Sequence, residues 1–297
     1  MSKCLLCPRE CGAERAAGEI GFCGVTDEYY VAKTMLHNWE EPCISGKGGA
    51  GTVFFSGCNL HCVYCQNRDI SGGITGKKMS DGELEKAIFE LFDNGAECIE
   101  FVTPTHYTDR LARLLAKIKP NLSVPVVWNS GGYEKVEALK LLDGLVDVYL
   151  PDFKYYDSEI AKQYSSAPDY KEIALVALEE MLRQVGKTEF DEMGMMKKGV
   201  IVRHLVLPSH RKDSINILQL LSEHFGTDSF MLSLMSQYTP DFYIESECAN
   251  DFKCLCRRVT EFEYESVANV ARELGFDGYF QDRRAASRSY TPDFSQK

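Results

Sequence analysis

From residue 51 to residue 281 the chain alternates short apolar runs with longer stretches of helical spacing, and this alternation limits the folds open to it. Residues 52–56, 98–102, 124–128, 146–150, 199–207, 230–234 and 278–281 read as strands. Residues 81–94, 108–118, 133–142, 158–164, 170–185, 214–225 and 260–274 read as helices; in the first, Leu84, Ile88, Leu91 and Phe92 share one face and Ser80 stands at the capping position. Strands joined by helical crossovers run parallel, and near-continuous apolar strands imply a sheet covered on both faces. About six such units are too few for a closed eight-stranded barrel of ~250 residues. The expected fold is therefore α/β, a partial (β/α)6 TIM-like barrel, with its chemistry on the loops at the carboxyl ends of the strands.

Those strand ends are polar. The first strand empties into F-F-S-G-C-N-L-H-C-V-Y-C-Q-N, residues 54–67, which sets Cys58, Cys62 and Cys65 in a C-x3-C-x2-C spacing. Soft thiolates select iron–sulfur clusters or zinc. Three of them can hold three irons of a cubane and leave the fourth without a protein ligand. Structural zinc takes four ligands, and the loop offers His61 as a conceivable fourth; free buried thiols are a third reading. Tyr64 puts an aromatic face beside the last cysteine. The other ends supply Thr103, Thr105 and His106 (V-T-P-T-H-Y), Asn129 and Ser130 (W-N-S-G-G), Asp152 and Lys154 (L-P-D-F-K-Y), Arg203 and His204 (V-R-H-L-V-L-P-S), and a sixth rim segment, M-S-Q-Y-T-P. Neighbours on a strand face opposite sides, so Arg203 and His204 diverge, whereas Asp152 and Lys154 share a side and could equally form a surface ion pair.

Cysteine usage adds a second group. Of the twelve cysteines, Cys4, Cys7, Cys11 and Cys23 crowd the amino terminus in C-L-L-C-P-R-E-C-G and G-F-C-G. This knuckle is rich in turns and poor in apolar residues, so a metal would supply its folding energy. Four thiols suit either tetrahedral zinc or a fully ligated iron–sulfur cluster. Cys98, inside an apolar strand, reads as a core residue, and Cys248, Cys254 and Cys256, in a polar loop, as unligated thiols. Residues 29–38 read as a strand or extended link, and G-K-G-G-A-G, 46–51, as a turn into the first barrel strand and not a phosphate cradle. The expected parts are a Cys-rich segment over 1–50, the barrel over 51–282 and a tail over 283–297 that covers the barrel or reaches a partner.

The cluster loop resembles that of the radical S-adenosylmethionine (SAM) superfamily. The resemblance implies a 4Fe–4S cluster on Cys58, Cys62 and Cys65, with SAM chelating the remaining iron, and reductive cleavage of SAM to methionine and a 5′-deoxyadenosyl radical. SAM would then offer a carboxylate to the fork of Arg203, a ribose diol to Asn129 and Ser130, and an adenine to Tyr64. Asp152 and Lys154 supply one charge of each sign, and Thr103, Thr105, His106 and His204 complete the candidate set. Through C-x2-C-P-R-x-C-G, G-C-N-L-H-C-V-Y-C-Q-N, Y-L-P-D-F-K-Y, V-R-H-L-V-L-P and S-Q-Y-T-P, nearly the whole chain is similar to the pyruvate formate-lyase activating group. That implies a protein substrate, a glycyl-radical enzyme, and an external electron donor such as flavodoxin or ferredoxin. Where characterised activating enzymes carry G-G-E after the second strand, this chain has T-P-T-H-Y. The alternatives are radical SAM modification of a small molecule or another peptide position, or a noncatalytic zinc-binding module. A net charge of −11 argues against a nonspecific nucleic-acid or membrane-surface binder. With no membrane span and no signal peptide expected, the expected location is cytoplasmic.

Overall fold

The computed structural model describes residues 3–240, 252–282 and 292–294. In chain order its strands are β1 (Tyr29–His37), β2 (Ala50–Phe55), β3 (Lys77–Met79), β4 (Cys98–Val102), β5 (Val126–Ser130), β6 (Val148–Pro151), β7 (Glu189–Phe190), β8 (Met196–Leu205), β9 (Met231–Met235) and β10 (Gly278–Phe280). The helices are α1 (Pro42–Ser45), α2 (Arg68–Ser71), α3 (Asp81–Asp93), α4 (Thr108–Ile118), α5 (Val136–Leu139), α6 (Ser158–Ser165), α7 (Tyr170–Val185), α8 (Arg211–Phe225) and α9 (Glu261–Leu274). The sheet runs β10-β9-β8-β6-β5-β4-β2-β1-β3, and its ends do not meet. Every pair from β2 through β10 along that path is parallel, and helices span each crossover. This is the expected partial barrel. β1 adds an antiparallel edge to β2 and carries β3 outside it. No helix among the described residues is long and apolar enough to cross a membrane.

Local chemistry explains most boundaries. Ser80 Oγ accepts the Glu83 N–H while the Glu83 carboxylate accepts the Ser80 N–H, closing a capping box on α3; Thr260 and Glu263 repeat it on α9. The helix expected over 133–142 is regular α only over Val136–Leu139, continuing as a tighter turn to Leu142. Its first residues are taken by side-chain packing. Tyr133 stacks on Tyr170, and the Glu134 carboxylate is held by the Trp128 indole and the Ser130 and Thr105 hydroxyls. β8 begins three residues before the expected start because β7 pairs with it antiparallel, a hairpin hidden by the charges of Lys197 and Lys198.

The period-2 alternation of the strands builds the barrel interior in layers. At the amino ends, Ala50, Cys98, Val127, Val148 and Ile201 pack with Cys43 and Ile44 of α1 into an apolar floor. Cys98 is thus the core residue expected. Two residues further along the same faces stand Thr52, Glu100, Asn129 and Arg203. The outward-facing Phe55, Phe101 and Trp128 belong to the large core shared with the helices. Phe101 is fully buried there, so Phe101→Ala should cost about 3–5 kcal/mol in chemical denaturation; Ser80→Ala, which removes only a helix cap, should cost about 1 kcal/mol.

Candidate functional site

The loop after β2 is fixed from several directions. Gly57 takes φ +82°, and a Cβ there would lie 2.5 Å from the Cys23 carbonyl. That carbonyl accepts the Cys58 N–H at 3.0 Å, and Asn59 Nδ2 donates to Tyr133 O at 2.7 Å. Arg9, from the amino-terminal knuckle, donates to the carbonyls of Asn59, Ser165 and Ser166. Cys58, Cys62 and Cys65 line one cavity of about 170 Å³. The Leu60 N–H donates to Cys58 Sγ at 3.3 Å and the Ser165 hydroxyl to Cys62 Sγ at 3.0 Å. Burial, reinforced by the other two thiols, pushes Cys58 up to about 12 and raises Cys65 as well. Three soft thiols lining one cavity are the donors that iron–sulfur clusters take, so the donor set fits such a cluster. Among the described residues no group of three or more His, Cys, Asp or Glu closes on a single metal ion. His61 cannot supply a fourth ligand here: its ring faces the knuckle, with Nε2 donating to the Phe22 carbonyl at 2.8 Å.

Opposite the thiols, the strand register puts the polar ends at one level. Asn129 pairs with Val102 and Leu150, Asp152 with Arg203, and Arg203 with Ser233. Arg203 is the hub. It donates to Asn129 Oδ1 at 2.6 Å, Glu40 Oε2 at 3.0 Å and Asp152 Oδ1 at 3.3 Å. Lys154 donates to Asp152 Oδ2 at 2.6 Å. Asn129 Nδ2 and Thr52 Oγ1 donate to Glu100 at 2.7 and 2.8 Å. Burial pushes Asp152 up, but Lys154 and Arg203 outweigh it and hold the carboxyl below its ordinary range. Burial also works against Lys154, yet Asp152 and Cys62 keep it well above the usual lysine range. Burial and the nearby Glu40 push Glu100 up to about 8. Burial raises Glu40 as well, and it hydrogen-bonds Glu100. At neutral pH the layer therefore holds two cations, Arg203 and Lys154, the Asp152 carboxylate, and a proton kept within the Glu40–Glu100 pair.

Of the candidates from sequence, the three cysteines, Tyr64, Thr103, Asn129, Ser130, Asp152, Lys154 and Arg203 line the cavity. Thr103 does so in a left-handed conformation, φ +57°, costly for a β-branched residue and a mark of a constrained site. Ser130 is partly committed, its hydroxyl donating to Glu134. Three candidates lie elsewhere. Thr105 donates to Glu134. His106 is fully buried against Tyr107, with Nε2 on the Ser56 carbonyl. His204, on the far side of β8 from Arg203, bridges the Phe153 carbonyl and Ser214 Oγ. Burial lowers His204 to about 4, which fits a neutral structural imidazole. The Asp152–Lys154 pair is largely buried and belongs to the site, not the surface.

Sequence reading passed over Glu40, Glu100, Asn67 and Thr239. Glu100, a carboxylate in the middle of an apolar central strand, was itself a signal. Asn67 Oδ1 and Thr239 Oγ1 line the cavity buried and without a partner among the described residues, as groups that await a ligand are. Cys254 contacts the Tyr164 hydroxyl at 3.0 Å; Cys248 lies outside the described residues. Of the tail, residues 283–291 and 295–297 lie outside them too, while Pro292 lines the cavity and the Phe294 ring packs edge-on against Phe54 at 5.4 Å.

A partial parallel barrel with a three-thiolate loop at its carboxyl end defines a class of proteins that hold an iron–sulfur cluster with one open iron. Residues 52–197 match the radical SAM superfamily. The chain is 30% identical over 284 residues to an uncharacterized protein of Methanocaldococcus jannaschii, covering 92% of this chain and 75% of that one. Its fold is similar to that of SuiB from Streptococcus suis bound to its precursor peptide SuiA, with a TM-score of 0.51 and 14% identity over 76% of this chain and 46% of that one. Methylornithine synthase has a TM-score of 0.49 and 16% identity over 76% of this chain and 66% of that one. The chain thus spans two thirds or less of these solved chains. This chain belongs to the radical SAM superfamily, a family that works with a 4Fe–4S cluster and SAM.

Glu100 gives the site a pH signature. In the unfolded chain it ionises near ~4.3, whereas the folded protein holds its proton to about 8. Between those values the unfolded state binds fewer protons, so stability falls as pH rises. Glu100→Gln should remove that slope. In melts from pH 5 to pH 8 the wild type should lose on the order of 2–3 kcal/mol relative to the variant; parallel curves would rule out a protonated Glu100.

Proposed function

We propose that this chain activates a glycyl-radical enzyme by abstracting hydrogen from a backbone glycine of that partner. What carries the reading is that the three cluster thiols and the polar ends of four parallel strands share one cavity of only about 170 Å³. Pockets for small ligands usually measure ~300–1,000 Å³. SAM and the cluster would occupy this cavity, and its open side is where a loop of a partner protein could present the hydrogen donor. The similarity of motifs along the chain to the pyruvate formate-lyase activating group supports the same substrate. Cys58, Cys62 and Cys65 would hold the cluster, which would supply the electron for splitting SAM into methionine and a 5′-deoxyadenosyl radical.

The chain's own residues bind and orient SAM. Every nitrogen of the Arg203 fork is spent on Asn129, Glu40 and Asp152, so Arg203 holds the layer in place. Lys154, paired with Asp152 and beside Cys62, is the cation placed for the SAM carboxylate. Thr239 and Asn67 offer unpartnered polar atoms, and Tyr64 an aromatic face. A flavodoxin- or ferredoxin-like donor supplies the electron.

Reduced, anaerobically reconstituted protein should convert SAM to 5′-deoxyadenosine, measured by chromatography, and Cys62→Ala should abolish this. Lys154→Met should raise KM for SAM at least tenfold, the loss of one charge-assisted contact of about 1.5–3 kcal/mol. With a glycyl-radical enzyme from the same genome, electron paramagnetic resonance should show the glycyl doublet. 5′-Deoxyadenosine formed with no doublet from any such partner would move the substrate to a small molecule or another peptide position. Zinc in place of iron, with no SAM turnover, would leave a noncatalytic module.

A further inference from the structure

The amino-terminal knuckle presses against the catalytic loop, and its four thiols converge. Cys4 and Ala13 are joined by the Cys4 N–H to Ala13 carbonyl bond at 3.0 Å, and the Gly12 N–H returns to the Cys4 carbonyl at 3.1 Å. The Glu10 N–H donates to the Cys7 carbonyl at 3.1 Å. A Cβ added at Gly21 would lie 3.4 Å from Cys11 Sγ and 3.5 Å from Cys23 Sγ, so these two sulfurs flank one backbone position. Cys7 feels the charges of all three of the others. Before β1 the segment has one short 3-10 turn, Arg15–Ala17, and leaves Leu5, Ile20 and Phe22 exposed. It lacks a core that would gather four cysteines by itself.

Arg15 makes the second, independent observation. Its side chain is only 4% exposed. It donates to the carbonyls of His106 and Thr26 at 2.7 Å each and of Val25 at 3.4 Å, and NH1 reaches Cys4 Sγ at 3.8 Å. No carboxylate pairs with it among the described residues. A buried cation needs a counter-charge; Asp27 lies within electrostatic reach, and Cys4 and Cys23 are the thiols placed to add to it. Four thiolates around an iron–sulfur cluster or a zinc ion leave net negative charge, which suits the guanidinium.

The knuckle stands against the cluster loop and offers the same donor type, thiolates only, as Cys58, Cys62 and Cys65. Four such thiolates fit a fully ligated cubane, whereas zinc would draw all four sulfurs to ~2.3 Å from one point. We propose that Cys4, Cys7, Cys11 and Cys23 bind a second iron–sulfur cluster of the 4Fe–4S class, fully ligated by protein thiolates. With no open iron it does not bind SAM. Its place is structural: the Cys23 carbonyl holds the Cys58 N–H, and Arg9, between Cys7 and Cys11, holds Asn59 and the end of α6. The second centre therefore braces the loop that carries the first.

The test is metal content of the full chain, purified and reconstituted without oxygen. Wild type should hold about eight iron and eight sulfide, and a Cys58→Ala/Cys62→Ala/Cys65→Ala variant about four of each. The Cys4→Ala/Cys7→Ala/Cys11→Ala/Cys23→Ala variant should lose the other four. Should that variant be insoluble, the wild-type and triple-variant counts still decide. In reduced wild type, SAM should perturb one of two cluster signals in electron paramagnetic resonance and leave the other unchanged. A triple variant without iron, or one with about one zinc and no sulfide, overturns the proposal.

Discussion

A guanidinium inside a parallel barrel has to be surrounded by acceptors, and the arrangement of this site follows from how Arg203 is surrounded. Its partners come from the β1–α1 connection (Glu40), the end of β5 (Asn129) and the end of β6 (Asp152). Asn129 passes the contact on to Glu100 of β4, and Asp152 passes it to Lys154. One buried charge thus sets the height at which neighbouring strands end, and so where the cavity begins. Such a layer is costly to desolvate and is stable only when each member is satisfied. A proton kept within the Glu40–Glu100 pair is part of that balance, since burial raises both carboxyls.

The cluster loop depends on contacts of another kind. Leu60 and Tyr64 anchor it in the core, and backbone carbonyls fix its shape: Cys23 against Gly57 and Cys58, Tyr133 for Asn59, Tyr164 for Val63. Arg9 ties the same loop to the end of α6 while lying over the rings of Phe22 and Tyr133. The amino-terminal knuckle therefore backs the cluster loop although it stands outside the strand order. Ser165, at the end of α6, completes the arrangement by donating to Cys62.

Polar residues buried near the site divide by the side of the strand on which they fall. Arg203 turns inward to the layer, while His204, one residue on, bridges Phe153 and Ser214 among the helices. His106 is likewise spent on backbone, and burial keeps it uncharged. The same physics, a polar group that has to be satisfied once it leaves water, yields the hub of the inner charged layer in one case and a brace among the helices in the other.

The partial barrel was legible in the chain because its signals are local: apolar runs, helical periods, capping residues at Ser80 and Thr260, and a three-cysteine spacing within eight residues. Period-2 alternation even separated Arg203 from His204. The start of α5 and the β7 hairpin were not legible, since each rests on partners distant in sequence. Nor was the commitment of Arg203 to the protein's own carboxylates, or the inclusion of Glu40 from outside the barrel strands. Covalent spacing and periodicity are written along the chain, and by themselves they determined the fold class and the thiolate loop. Which polar groups meet, which are neutralised and which are left free for a ligand was decided only by the tertiary structure, because burial and charge balance are properties of neighbours in space.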